Sequence, residues 1–365
     1  MRQTPETAAS PATAGAARPP LILALRRLLP ALALAAFVLV LGAVLASAGS
    51  TLGYDYQAYA QAAHRLLDGR PLYDPAVDVA GGFAIYLYPP PFALAVVPFA
   101  LLPGSFGEWA WLGLLVASFL LGCALLPVRP TVRWLIVLLG GISLPLVYSV
   151  KLGQVGPLLF LLFVVGWRSL DRPVPLGLSI AAGALTKVQP ALLFGWALVT
   201  RRWRAVGVGF VVCALAAIIA TVATGVAAWS DYLALLGRVT NPVTTPRNVT
   251  PGAVAYGLGA SLELSTAVQL GSMAATIGIT AWAWLRASAS TSLVVTVVAS
   301  QLLSPLLWDH YAVLLLVPVA FLLERRRWWA AAIPLLPWLP IPVLYPVAFG
   351  VGLVAPLLPR DDPIA

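Results

Sequence analysis

Long apolar runs separated by short polar breaks occupy almost the whole chain. The first run, residues 28–48, follows Arg26-Arg27 and is too long for the core of a cleaved signal, so it is expected to remain as a first span. The run at 88–103 carries Pro89, Pro90, Pro91, Pro98 and Pro103, too many for an ordinary span, and reads as an interfacial or re-entrant piece. Segment 109–127 is then the second span. Segments 134–150 and 155–167 rise and return, leaving Lys151-Leu152-Gly153-Gln154 exposed between them.

Between Arg172 and Arg201 the apolar run is interrupted by Thr186-Lys187-Val188-Gln189-Pro190. Two short broken helices meeting near the outer leaflet fit that pattern, and such breaks are tolerated where they line a cavity in protein. Further on, 205–223 exits and 224–262 forms an outer loop with a short interfacial piece. Segments 264–285, 291–307, 311–323, 330–344 and 346–358 complete the count. The fold class expected is an all-α polytopic membrane protein, a bundle of about 10–12 transmembrane helices at about 20 residues each, with interfacial helices in the first extracytoplasmic loop.

Composition agrees: 61% of the 365 residues are hydrophobic and 10% charged, with a mean hydropathy of +0.92. The net charge of +9 is read as topology and not as a nucleic-acid surface. Arg129/Arg133, Arg168/Arg172, Arg201/Arg202/Arg204, Arg286 and Arg325/Arg326/Arg327 form five groups that the positive-inside rule assigns to the cytoplasm. Residues 1–27 are expected as a disordered cytoplasmic tail and 28–358 as one transmembrane domain. Within it, 49–108 is the extracytoplasmic loop, and 359–365 is a C-terminal tail. A bacterial cell membrane with the polar site facing outward is the expected location. Cys123 and Cys213 lie in apolar runs and read as small buried residues, with neither a disulfide nor a metal site expected. Many of the 13 tryptophans fall near span ends, as an aromatic belt would.

The polar residues left unexplained gather on one side. The two lysines, Lys151 and Lys187, and the two histidines, His64 and His310, all fall on the outer side in this topology, with Asp55, Asp68, Asp74, Asp78, Asp231 and Asp309. Residues 56–67 place Tyr56, Tyr59, Ala60, Ala63 and Leu67 on one face of an amphipathic surface helix. Asp55 at its start reads as an N-cap or as a general base facing a cavity. A lysine in an apolar helix costs about 3 kcal/mol, so Lys151 with Gln154 and Lys187 with Gln189 read as a cationic pocket for a phosphate diester, or as snorkelling side chains. His310 is a candidate phosphate donor or acid. Tyr59, His64, Tyr88, Gln154, Gln189, Trp308 and Asp309 are candidate substrate contacts. Arg238 and Arg247 in the outer loop discriminate nothing. No P-loop, His-Glu-x-x-His, Gly-x-Ser-x-Gly or Rossmann fingerprint occurs, and no Asp-x-Asp pair lies in the outer segments. No metal or cofactor is expected.

Taken in order, these segments resemble glycosyltransferase family 87, which includes polyprenyl-phosphate-mannose-dependent α-1,2-mannosyltransferases and has the GT-C architecture. The resemblance rests on Asp55 to Tyr59, Leu66-Leu67-Asp68-Gly69-Arg70-Pro71-Leu72-Tyr73, Tyr88-Pro89-Pro90, Gly153-Gln154, Leu185-Thr186-Lys187 with Pro190, and Ser304-Pro305 followed by Trp308-Asp309-His310. Gly153-Gln154-Val155-Gly156 departs from the Gly-Gln-x-Asn of many members. The resemblance implies that Asp55 is the catalytic base and that His310 and Lys187 contact the phosphate of a polyprenyl-phosphate sugar. A hydroxyl of a glycolipid acceptor would then attack the sugar with inversion. Competing readings are a polyprenyl-phosphate arabinose transferase and a lipid-linked sugar transporter. The second would place polar groups at the membrane midplane and relate the two halves of the chain.

Overall fold

The computed structural model describes residues 20–74, 85–238 and 242–359. Most of the expected 1–27 tail, Asp78 and the end of the C-terminal tail lie outside them. The described chain is helical, and no strand occurs among the described residues. Sixteen α-helices follow one another: α1 (Pro20–Ala46), α2 (Tyr54–Leu67), α3 (Pro90–Ala100), α4 (Phe106–Leu125), α5 (Pro130–Gly141), α6 (Leu144–Leu152), α7 (Gly156–Arg168) and α8 (Pro173–Thr186). Then come α9 (Leu192–Val199), α10 (Trp203–Thr224), α11 (Ala227–Gly237), α12 (Pro251–Gly257), α13 (Leu262–Arg286), α14 (Ala289–Leu302), α15 (Leu316–Glu324) and α16 (Leu344–Val354), with short 3-10 turns between some of them.

The bundle is not a set of uniform rods. Among the described residues four helices are long and apolar enough to cross a membrane, in α1, α4, α10 and α13. The α5–α6 pair, bent by 64°, makes a fifth if it counts as one span. The remaining apolar helices are shorter, and proline explains several of their boundaries. Pro130, Pro173 and Pro251 sit in first turns, where the missing N–H costs nothing. The chain breaks at Lys187-Val188-Gln189-Pro190 between α8 and α9, as the interrupted hydropathy there predicts.

Burial divides the helices into two kinds. On α10, Phe210, Val211, Leu215, Ile218, Ile219 and Val222 all point outward, which is stable only against hydrocarbon. By contrast α14 is buried from Thr291 to Leu302 and α15 from Leu316 to Leu323. A helix buried all round must satisfy its own polar groups. Ser292 accepts the Trp196 indole N–H at 3.0 Å and Thr296 the Trp284 indole N–H at 2.8 Å, tying α14 to its neighbours.

The basic groups meet in one layer. Arg129 pairs with Glu324 at 3.1 Å, Arg168 donates to the Leu125 carbonyl at 3.3 Å, and Arg202 donates to the Leu170 carbonyl. Arg325 donates to Thr291 Oγ1 at 3.2 Å, one helix start away from Arg286. From this layer α8 runs from Arg172 toward Lys187, a rise of about 21 Å, and α14 runs toward 303–310 over a similar length. The arginine layer and the Lys187–His310 region are therefore opposite ends of the bundle.

Candidate active site

Asp55 is positioned by a clamp between α2 and α6. The Gly53 N–H donates to the Lys151 carbonyl at 2.8 Å, and the Trp111 indole N–H donates to the Gly153 carbonyl at 2.7 Å. Gly153 ends α6 with φ 75°, and a Cβ there would stand 2.8 Å from Tyr56 Cβ, so this close seat requires glycine. Gly53, with φ 62°, is the N-cap of α2. The N-cap alternative for Asp55 is thereby corrected: it lies inside the first turn and makes no capping bond.

The buried face of α2 carries Tyr56, Ala58, Tyr59, Ala62 and Ala63. Leu67, expected on that face, is 47% exposed because the helix leaves the bundle at its end. A wall of tyrosines forms beside it. The Tyr59 hydroxyl donates to the Tyr88 hydroxyl at 2.8 Å, the Gln154 amide donates to the same oxygen at 3.2 Å, and Tyr73 donates to the Tyr88 carbonyl at 2.6 Å. Gln154 Oε1 in turn accepts from Gly156 N–H at 3.0 Å. The expectation that Lys151-Leu152-Gly153-Gln154 is exposed is corrected in part. Lys151 is half-buried, whereas Leu152, Gly153 and Gln154 are buried, because the Gln154 amide is used to fix Tyr88 against α7.

Lys187 reaches the same tyrosines from another part of the chain. It sits in the α8–α9 break with extended backbone, and its ammonium lies 3.5 Å from the Tyr311 ring centroid and 5.7 Å from that of Tyr88. Two electron-rich faces thus partly replace the water a cation loses on burial. Gln189 follows, donating to Ser304 Oγ at 2.9 Å, while its Oε1 is buried without a partner.

The third contribution is the loop between α14 and α15. Asn248 holds it from outside: its Oδ1 accepts from Leu307 N–H at 3.0 Å and its amide donates to the Pro305 carbonyl at 3.0 Å. From inside, Ser149 donates to the His310 carbonyl at 3.1 Å. Asp309 Oδ1 accepts the His310 N–H at 2.7 Å and lies 3.2 Å from His310 Nδ1. That contact puts the Nδ1 proton toward Asp309. The buried Nε2 has no partner, ready to accept when the ring is neutral and to donate when it is charged.

Asp55, Lys187, His310 and Asp309 share one electrostatic neighbourhood. The Asp55 carboxyl is raised above the ordinary carboxylate value, chiefly because burial removes its water. The positive charges of His310 and then Lys187 act against this, and Asp309 adds to it. A carboxylate shifted upward beside two potential cations has the character of a general base.

Not every candidate joins this group. His64 lies nine residues after Asp55, about 180° around the helix, and is exposed. The Lys151 ammonium is 5.6 Å from the Tyr148 ring, and Tyr148 in turn stands 6.1 Å from His310, so Lys151 is one ring removed from the group. Trp308 and Asp309 are half-buried. Asp68 and Asp74 form surface pairs with Arg70 at 2.6 Å and Arg65 at 3.7 Å. Sequence reasoning missed Tyr311, Tyr148 and Asn248. Tyr311 adjoins the Trp308-Asp309-His310 motif and was within reach, while the role of Asn248 depends on a contact 59 residues away.

The profile of glycosyltransferase family 87 matches residues 86–307, from the tyrosine wall to the loop preceding Asp309. The chain belongs to this family. It is a membrane glycosyltransferase, and Tyr88, Gln154, Lys187 and Gln189 lie within the matched stretch; His310 falls just after it and Asp55 well before it. A protein of Mycobacterium tuberculosis (strain ATCC 25618 / H37Rv), named polyprenol-phosphate-mannose-dependent alpha-(1-2)-phosphatidylinositol mannoside mannosyltransferase, is 29% identical to the enzyme over 332 residues. The alignment covers 80% of this chain and 77% of the relative. No solved structure matches.

Proposed function

We propose that the enzyme transfers mannose from a polyprenyl-phosphate donor to a hydroxyl of a glycolipid acceptor on the extracytoplasmic face, with Asp55 as general base. The observation that carries this reading is that three separate parts of the chain meet at one cluster of tyrosines: Tyr59, one turn beyond Asp55, donates to Tyr88 at 2.8 Å, the Lys187 ammonium lies 5.7 Å from the Tyr88 ring and 3.5 Å from that of Tyr311, and the His310 ring lies 4.9 Å from Tyr311. The relative's dependence on polyprenol-phosphate-mannose supports the donor. The location of the arginine layer at the other end supports an outward site, because arginine-rich ends stay in the cytoplasm.

The chemistry follows from where charge develops. The acceptor O–H gives its proton to Asp55 as its oxygen forms a bond to the anomeric carbon. The bond from that carbon to the phosphate oxygen breaks, and its electron pair leaves with the polyprenyl phosphate. Attack opposite the leaving group inverts a β-linked donor to an α-linked product. Negative charge grows on the phosphate, where the Lys187 ammonium and a donor N–H at His310 Nε2 oppose it. Carboxylate on the acceptor side and cations on the leaving-group side match the separation of charge in the transition state.

Incubating the purified enzyme with a panel of polyprenyl-phosphate sugars and a lipid extract tests the assignment. Mannose is expected to transfer and arabinose to remain on its carrier. Transfer of arabinose alone, or none from any carrier while the protein stays folded, contradicts it.

A further inference from the structure

At the arginine end, far from Asp55, a recess of about 290 Å³ opens between the end of α13, the start of α14 and the turn after α16. Two guanidinium groups, Arg286 and Arg325, share it with the hydroxyls of Ser288 and Thr291, and Trp282 and Leu358 supply apolar walls. We propose that this recess binds the phosphate of an anionic phospholipid from the leaflet on that side.

Three observations converge on it. Arg286 is exposed in the last turn of a helix long enough to span, which sets it at headgroup depth. Among the described residues it makes no ion pair, and Glu324, at the end of neighbouring α15, is already held by Arg129. No described acidic residue, then, compensates the positive charge of Arg286.

Arg325 is preorganised. It donates to the Pro356 carbonyl at 3.0 Å and to Thr291 Oγ1 at 3.2 Å, and its guanidinium lies 4.0 Å from the Phe321 ring centroid. A fixed guanidinium loses little freedom when it meets a phosphate, and a second one beside it permits forked contacts. The rim settles the source of that phosphate. Trp282 is 53% and Leu285 71% exposed on the same helix end, surfaces suited to glycerol and acyl chain and not to a free anion in water. The site neither uses nor requires any residue of the transfer reaction.

Native mass spectrometry of the full chain in neutral detergent, titrated with phosphatidylglycerol or phosphatidylcholine of identical acyl chains, tests it. Phosphatidylglycerol is expected to saturate one site, and Arg286→Gln to weaken it about tenfold, the scale of one charge-assisted contact. Arg204→Gln, exposed at the same end but outside the recess, should leave binding unchanged. Equal uptake of both lipids, an equal loss with Arg204→Gln, or displacement by inorganic phosphate would each overturn the proposal. So would binding that emerges only after Asp361→Asn with Asp362→Asn, since the chain's own acidic end would then be the occupant.

Discussion

Asp55 is expensive to keep ionised. Its upward shift means that the folded protein binds a proton there more tightly than the unfolded chain, whose aspartates titrate at about 3.9. Stability from this group is therefore complete below that value and is lost as pH rises through the folded one. Transfer runs the other way, because only the carboxylate can take a proton. Initial rates at low acceptor concentration should fall on acidification with unit slope, at a midpoint above the ordinary carboxylate value. A rate unchanged down to that value would remove Asp55 from the base role. At this scale the sequence was informative about ionisable residues, since a carboxylate, a lysine and a histidine are conspicuous among hydrocarbon. It was blind to their partners. Nothing in the order of residues says that Lys187 rests on Tyr311, or that the Gln154 amide is committed to Tyr88.

The elements act by holding these groups to a fraction of a turn. Helix α2 rests on the C-terminal end of α6 through Gly53 and Gly153, so the register of Asp55 depends on a glycine nearly a hundred residues away in sequence. Gly153→Ala combines a strained φ with a Cβ contact at 2.8 Å. It should cost about 1–3 kcal/mol of stability and lower turnover, with donor binding less affected because Lys187 lies on another element. Thermal unfolding and separate donor and acceptor titrations distinguish the effects; an undisturbed melting temperature would show that the seat is looser than described. Breaks at 186–190 and at the proline-rich segment were legible from the residues themselves. The 64° bend between α5 and α6 was not: Gly141 and Ser143 permit it, but packing against the rest of the bundle decides it.

For the whole molecule, charge is distributed asymmetrically along the bundle. Arginines linked through Glu324 and backbone carbonyls occupy one end, and the reactive groups occupy the other. In a background with Cys123 and Cys213 replaced by serine, Gln61→Cys on the exposed side of α2 should react with a membrane-impermeant maleimide added to intact cells. Arg204→Cys should react only after permeabilisation. The reverse pattern would invert the topology and with it the source of the lipid donor. The grouping of costly charges at one end followed from hydropathy and the positive-inside pattern. Their meeting in one neighbourhood required the fold, because α2, the α8–α9 break and the 303–310 loop are joined only by tertiary contacts. The most direct measurement of that convergence is single-turnover transfer from polyprenyl-phosphate mannose by purified wild-type and Asp55→Asn enzyme, with melting curves recorded in parallel at neutral pH. Loss of about 100-fold or more in rate is expected, the usual weight of a general base, with a melting temperature equal to or above wild type because a desolvated charge has been removed. Turnover near the wild-type rate in a folded Asp55→Asn enzyme would contradict the account.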